Sequence, residues 1–143
     1  MAEPAPRPKT LFQKLGGAGP IKAVVGEMYS RLLADKETAP FFEKINMSGL
    51  KHHQVEFMKV AFTAIPEGLD VPKMITEKHL SLFEAGLSEK HFDVVAGHFV
   101  ESCKHLDVPQ DLIDEALGVI GPLRPIFKEG AKKYGPSNGC TCM

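Results

Sequence analysis

The chain has 143 residues, 43% of them hydrophobic, which is enough for one domain with a real core and too apolar for overall disorder. Its 17 Lys+Arg against 18 Asp+Glu leave a formal charge of −1, so no general attraction to nucleic acid or acidic membranes is expected. No apolar run approaches the roughly 18 residues of a membrane span, and the Glu3-containing start lacks the apolar stretch of a secretory signal.

Residues 1–9, rich in Pro and Ala, read as a flexible leader. A short helix is expected around Leu11 to Leu15, ended by Gly16 and Gly17. Pro20 opens a second helix in its first turn, where a missing N–H costs nothing. Ile21, Val24, Val25, Met28, Tyr29, Leu32 and Leu33 then recur on one helical face. Thr38-Ala39-Pro40 interrupts the chain before Phe41 and Phe42. Ser48 is the predicted N-cap of a third helix, whose inner face runs Leu50, Gln54, Phe57, Met58, Ala61, Phe62 and Ile65.

Pro66, Gly68 and Pro72 mark a loop, and a short helix follows with Ile75, His79, Leu82 and Phe83 on one face, stopped by Gly86. Ser88 caps the next helix, which turns Phe92, Val95, Ala96, Phe99, Val100, Cys103 and Leu106 inward. Asp107 and Pro109 start the last one, with Leu112, Ile113, Ala116, Leu117 and Ile120 inward. Gly121-Pro122 and Pro125 bend or break it. From Gly130 the chain reads as a polar, Cys-containing tail. No strand alternation or internal repeat is visible. The expectation is an all-α fold with one domain over residues 10–129, between the leader and a tail over 130–143. Three cysteines, one inside a helical pattern, make no disulfide framework and suit a reducing, cytoplasmic setting.

Four side chains stand out chemically. His79 lies in an apolar stripe, where both ring nitrogens need partners. It is either a core histidine bonded to a carbonyl or a metal ligand whose other nitrogen is so bonded. Tyr29 and Gln54 lie on the inner stripes of successive helices, with His53 beside Gln54. They can be ordinary core-margin and surface residues, or a hydroxyl, an amide and an imidazole around one small cavity. Spacing alone leaves both readings open.

Motif order favours the second reading. Leu11-Phe12-Gln13-Lys14-Leu15-Gly16-Gly17, Met28-Tyr29-Ser30-Arg31-Leu32-Leu33-Ala34-Asp35 and Ala39-Pro40-Phe41-Phe42 resemble the opening, second-helix and Pro-Phe-Phe motifs of group I (N-type) truncated haemoglobins. His53-Gln54-x-x-Phe57-Met58 is similar to the distal helix of that family. Lys78-His79-Leu80 and the run Gly86 to Ala96 are similar to its proximal helix and the helix after it. The resemblance spans about residues 10 to 128.

The resemblance implies a truncated globin, a two-on-two helical sandwich around haem, with His79 as the proximal iron ligand. Tyr29 and Gln54 then stabilise bound diatomic ligands, and His53 stands where some members supply an internal sixth ligand. Phe41, Phe42, Phe57, Phe92 and Val95 are expected to wedge the porphyrin, with Leu50, Ile75, Leu82 and Leu87 completing its surroundings. Leu50 also replaces a glutamine common in the family. Lys51 is the expected substitute for the basic residue, absent at Gly49, that pairs with a haem propionate. No histidine follows His105, so the last-helix histidine that links haem covalently in some members is missing, and non-covalent haem b is expected.

The implied ligands are dioxygen, nitric oxide and carbon monoxide. The implied activity is nitric oxide dioxygenation, in which dioxygen and nitric oxide give nitrate and leave ferric iron for an external reductase to restore. The alternative is a non-enzymatic oxygen carrier or gas or redox sensor. Cys140-Thr141-Cys142-Met143 formally fits a prenylation pattern, and membrane contact is expected only if that tail is lipidated.

Overall fold

The computed structural model describes residues 9–136, which form eight α-helices and two short 310 turns, with no strand among them. Helix α1, Leu11–Lys14, is closed at its start by a capping box in which the Thr10 hydroxyl accepts from Gln13 N and the Gln13 amide oxygen accepts from Thr10 N. Gly16 and Gly17 end it in left-handed conformations, φ 102° and 86°. Helix α2, Ala18–Ala34, begins two residues earlier than expected. Pro20 is its third residue, still inside the turn whose N–H groups have no helical partner.

A 310 turn, Ala39–Phe42, leads to α3, Met47–Ala61. The cap of α3 is Asn46 rather than Ser48, because the Asn46 carboxamide accepts from Gly49 N at 3.2 Å. The stretch expected as one helix around His79 is two: α4, Val71–Lys78, and α5, Leu80–Glu84. His79 is the joint between them, its N–H shared by the carbonyls of Ile75 and Thr76. Helix α6, Glu89–His105, starts from the expected Ser88 cap. Helix α7, Gln110–Ile120, gives way at Gly121-Pro122 to a 310 turn, and α8 resumes from Arg124 to Tyr134. Gly130 therefore lies within a helix, and the polar tail begins no earlier than Gly135. The leader up to Pro8 and the cysteines 140 and 142 lie outside the described residues.

Helix α2 is the spine, lying against both α6 and α3. Its Ile21, Val24, Val25, Met28 and Leu32 join Leu11, Met58, Phe62, Phe99, Cys103, Ile113 and Ala116 in one buried cluster. Each large side chain there contributes about 1.5–3 kcal/mol by leaving water. Burial pushes the Cys103 thiol up to about 11, so it remains an un-ionised apolar filler. Leu33, Ile65 and Leu106, expected inside, are exposed because they lie near, beyond or at the ends of their helices, where the face turns off the core. Ile75, Phe83 and Leu87 are buried apart from this cluster, in the region where α4 and α5 rest on α8. No described helix is long and apolar enough to cross a membrane.

Candidate functional site

The joint at His79 has a chemical consequence. The ring Nδ1 lies 2.7 Å from the Ile75 carbonyl oxygen, an acceptor only, so Nδ1 carries the proton and donates it. Nε2 is left with its lone pair and no hydrogen-bond partner among the described residues. Burial pushes the imidazole below its ordinary range, against the opposing effect of the Ile75 bond, and the Lys78 charge adds to the lowering. A neutral imidazole with one oriented nitrogen free is the form that ligates a metal.

Tyr29 and Gln54 meet where α2 crosses α3. The Tyr29 hydroxyl is 3.5 Å from the Gln54 amide oxygen, at the far end of hydrogen-bond reach, so both groups keep capacity for a further partner. Burial pushes the Tyr29 phenol up to about 12, keeping it a proton donor at neutral pH.

Aromatic contacts connect the two places. The Tyr29 ring meets Phe42 edge-on at 5.7 Å, and the adjacent Phe41 meets His91 at 4.8 Å. Phe92, next in sequence, lies 5.1 Å from Phe127, whose ring is 5.2 Å from His79. These rings follow one wall. Helix α3, meanwhile, packs on α2 without substantial contact with α4 or α5. Phe41, Phe42, Leu50, Phe57, Leu82, Phe92 and Val95 are all only half-buried, as apolar linings of a cleft between α3 and the α4–α5 pair are expected to be; Ile75 and Leu87 are buried. A flat apolar group with a metal centre suits this lining and the free Nε2.

A profile described as Bacterial-like globin matches residues 10–128. The group 1 truncated hemoglobin GlbN of Mycolicibacterium paratuberculosis is 32% identical over 123 residues, covering 86% of this chain and 87% of that protein. The chain is a group 1 truncated haemoglobin. GlbN of Synechocystis is 36% identical over 115 residues, covering 78% of this chain and 90% of that protein. Among solved structures, Chlamydomonas reinhardtii THB4 aligns at a TM-score of 0.71 with 42% identity, covering 83% of this chain and 94% of its own. The 2/2 hemoglobin of Synechococcus, a cyanomet form with covalently attached heme, aligns at a TM-score of 0.73 with 30% identity, covering 87% of this chain and 100% of its own. This truncated haemoglobin thus has the 2/2 globin fold and belongs with the haem proteins that bind diatomic gases.

Of the expected residues, Tyr29 and Gln54 meet at one helix crossing and His79 and Phe92 both touch Phe127, while two others lie apart from these contacts. Lys51 lines a groove shared with α2, together with Lys22 and Gly26, rather than the half-buried apolar wall. His53 is exposed, its ring 5.9 Å from that of His52. Two contributors escaped the sequence reading. Phe127 contacts His79, Phe83 and Phe92 from α8. Its signal was the 3–4 spacing of Leu123, Phe127, Ala131 and Tyr134, obscured by the prolines before it. His91 completes the α6 cap by accepting from Ser88 N through Nδ1 at 3.0 Å, while its ring holds Phe41.

Proposed function

We propose that this truncated haemoglobin holds haem b non-covalently through His79 Nε2 and catalyses the dioxygenation of nitric oxide to nitrate, with an external reductase restoring ferrous iron. The observation that carries the reading is the commitment of His79 Nδ1 to the Ile75 carbonyl at 2.7 Å, which leaves Nε2 oriented with its lone pair free. Bound haem supplies the iron at which the two gases combine. The lack of a histidine after His105 in the sequence supports non-covalent attachment.

With a ligand bound, Tyr29 would turn its single hydroxyl proton from the long contact with Gln54 Oε1 toward the partially negative oxygen of that ligand, and the Gln54 amide N–H would be a second donor. Hydrogen bonds to a charged acceptor are worth about 1.5–3 kcal/mol, roughly tenfold to a hundredfold in ligand retention. Carbon monoxide develops less charge and gains less. The half-buried phenylalanines exclude water and leave an apolar approach for the second gas. A cytoplasmic setting, where reductants are at hand, goes with this reading.

His53 is the proposed sixth ligand in the absence of gas. It lies on the α3 stripe of Phe57 and Val60, about 140–180° around the helix from Met58 and Phe62, which pack into the core. An internal ligand lowers apparent gas affinity by the fraction of protein in which it has left. The optical spectra of the ferric and ferrous holoprotein, beside His53→Leu and His79→Ala, test both ligands. The expected wild type is low-spin, His53→Leu is high-spin, and His79→Ala loses haem. A high-spin wild type removes His53 from the iron, and normal haem retention in His79→Ala overturns the assignment of Nε2. Nitrate yield from the oxygenated protein and nitric oxide separates the dioxygenase from a carrier or sensor.

A further inference from the structure

We infer that the groove between α2 and the first turns of α3 is the docking face for an acidic electron-donor protein. The inference rests on the redox reading above, which requires that ferric iron be returned to the ferrous state by a protein from outside.

The groove has a volume of about 730 Å³ and is walled by Ala18, Gly19, Lys22 and Gly26 on α2, facing Lys51, Val55 and Lys59 on α3. Its charge is lopsided. Lys22, Lys51 and Lys59 line it with His52, against Glu56 as the one acidic lining residue. Glu56 is already engaged by Lys59 at 3.1 Å, whereas Lys22 and Lys51 take part in no ion pair among the described residues. The whole chain carries −1, so these cations are a local concentration rather than a share of general basicity. Such a patch steers an acidic partner to one place and accelerates encounter at low salt. Gly19 and Gly26 have open space above them where a Cβ would stand, so a partner's surface can come close to the α2 backbone.

Position makes this face useful for electron delivery. Val25 lines the groove one helical turn before Tyr29, and Val55 directly follows Gln54. Val25 and Tyr29 share one face of α2, about 6 Å apart along its axis, so the groove adjoins the proposed ligand-holding pair at the same helix crossing. With haem bound, one electron would pass from the reduced donor to ferric iron, oxidising the donor by one electron and forming or breaking no bond in this protein. The lysines do not take part in that transfer; they position the donor.

The test uses the ferric holoprotein and a reduced acidic flavodoxin as the probe, followed by stopped-flow absorbance over a range of salt. Expected for wild type is a second-order rate constant that falls steeply as salt rises. Lys22→Glu combined with Lys59→Glu should slow the reaction about tenfold at low salt and flatten the salt dependence, while reduction by dithionite stays unchanged. Lys132→Glu with Lys133→Glu on α8 carries the same charge change and should leave the flavodoxin rate near wild type. Equal slowing by both pairs, or none by the first, overturns the groove as the docking face. Amide shift mapping with the same flavodoxin gives a readout independent of haem chemistry. Shifts confined to residues 18–26 and 48–59 support the groove, and shifts elsewhere overturn it. Failure of the haem reading instead shows in the optical spectrum before any donor is added.

Discussion

Tyr29 and His79 rest on supports built in different ways. Tyr29 belongs to the spine helix, with Val25, Met28 and Leu32 buried around it and α3 and α6 packed on the same element. Its position is over-determined by the largest apolar cluster in the molecule. His79 stands at a joint between two short helices, eight and five residues long, which rest on α8 through Ile75, Phe83 and a set of ring contacts. Short helices have little stability of their own, so tertiary contact has to hold them. The lesson is that the proposed ligand-tuning side is held by burial, while the proposed iron-binding side depends on the single helix α8.

Removing the Tyr29 hydroxyl should alter chemistry without altering the support. Tyr29→Phe is expected to speed dioxygen dissociation roughly tenfold to a hundredfold, measured by stopped-flow displacement, while the fold keeps its stability at neutral pH. The wild type should also lose stability as pH rises from the ordinary phenol value near 10.0 through the folded value of about 12, because ionisation is resisted only in the folded state. Tyr29→Phe removes that alkaline loss. A large drop in thermal stability at pH 7 would instead mean that the hydroxyl is part of the support.

Gly130 tests the other half. A Cβ placed there would stand 2.3 Å from Phe83 Cζ, and Phe83 is fully buried, so the ring has nowhere to retreat. Gly130→Leu should cost about 1–3 kcal/mol of stability in chemical denaturation and loosen α5 from α8, seen as faster haem loss. Gly97 is the contrast: in the middle of α6 with open space around it, Gly97→Ala should stabilise by about 0.5–1 kcal/mol. Equal effects at the two glycines would erase the distinction between the halves.

The smallest expected effect is an acid one. Because folding lowers the His79 pKa below its ordinary 6.5, neutral His79 contributes stability that is complete above that value and lost as pH falls through the folded value. In the haem-free protein, amide exchange in α4 and α5 should rise on acidification ahead of α2. A uniform rise across all helices would show that the joint opens only with the whole molecule.

Much of this was legible in the sequence. Apolar periodicity marked the long helices, and Ser88, Gly16 and Gly17 marked real boundaries, because capping and left-handed turns act through local residues. The order of motifs placed Tyr29, Gln54 and His79. The break at His79 was not legible, since no glycine or proline stands between Met74 and Phe83. It is made by a bifurcated backbone bond at a residue whose ring packs against Phe127, 48 positions later, where spacing rules do not reach. Gly130 looked like the start of a tail for a related reason: its purpose is to admit Phe83 from 47 positions earlier, and spacing rules see only near neighbours. Lys51 was assigned by position in a motif, but a rotation of about 100° per residue along α3 decides which cleft a side chain enters.

The Ile75 carbonyl accepts from His79 twice, from the main-chain N–H at 3.1 Å and from the ring at 2.7 Å. Both donors belong to one residue and the acceptor is backbone, so the pair closes a small loop that fixes the imidazole's heading. In proteins that orient such a ring with a carboxylate, a single codon change can retune or abolish the anchor. Here any amino acid at position 75 brings the same oxygen. The heading of the proposed iron ligand is therefore inherited with the shape of the chain, and a side-chain substitution at position 75 leaves the accepting oxygen in place.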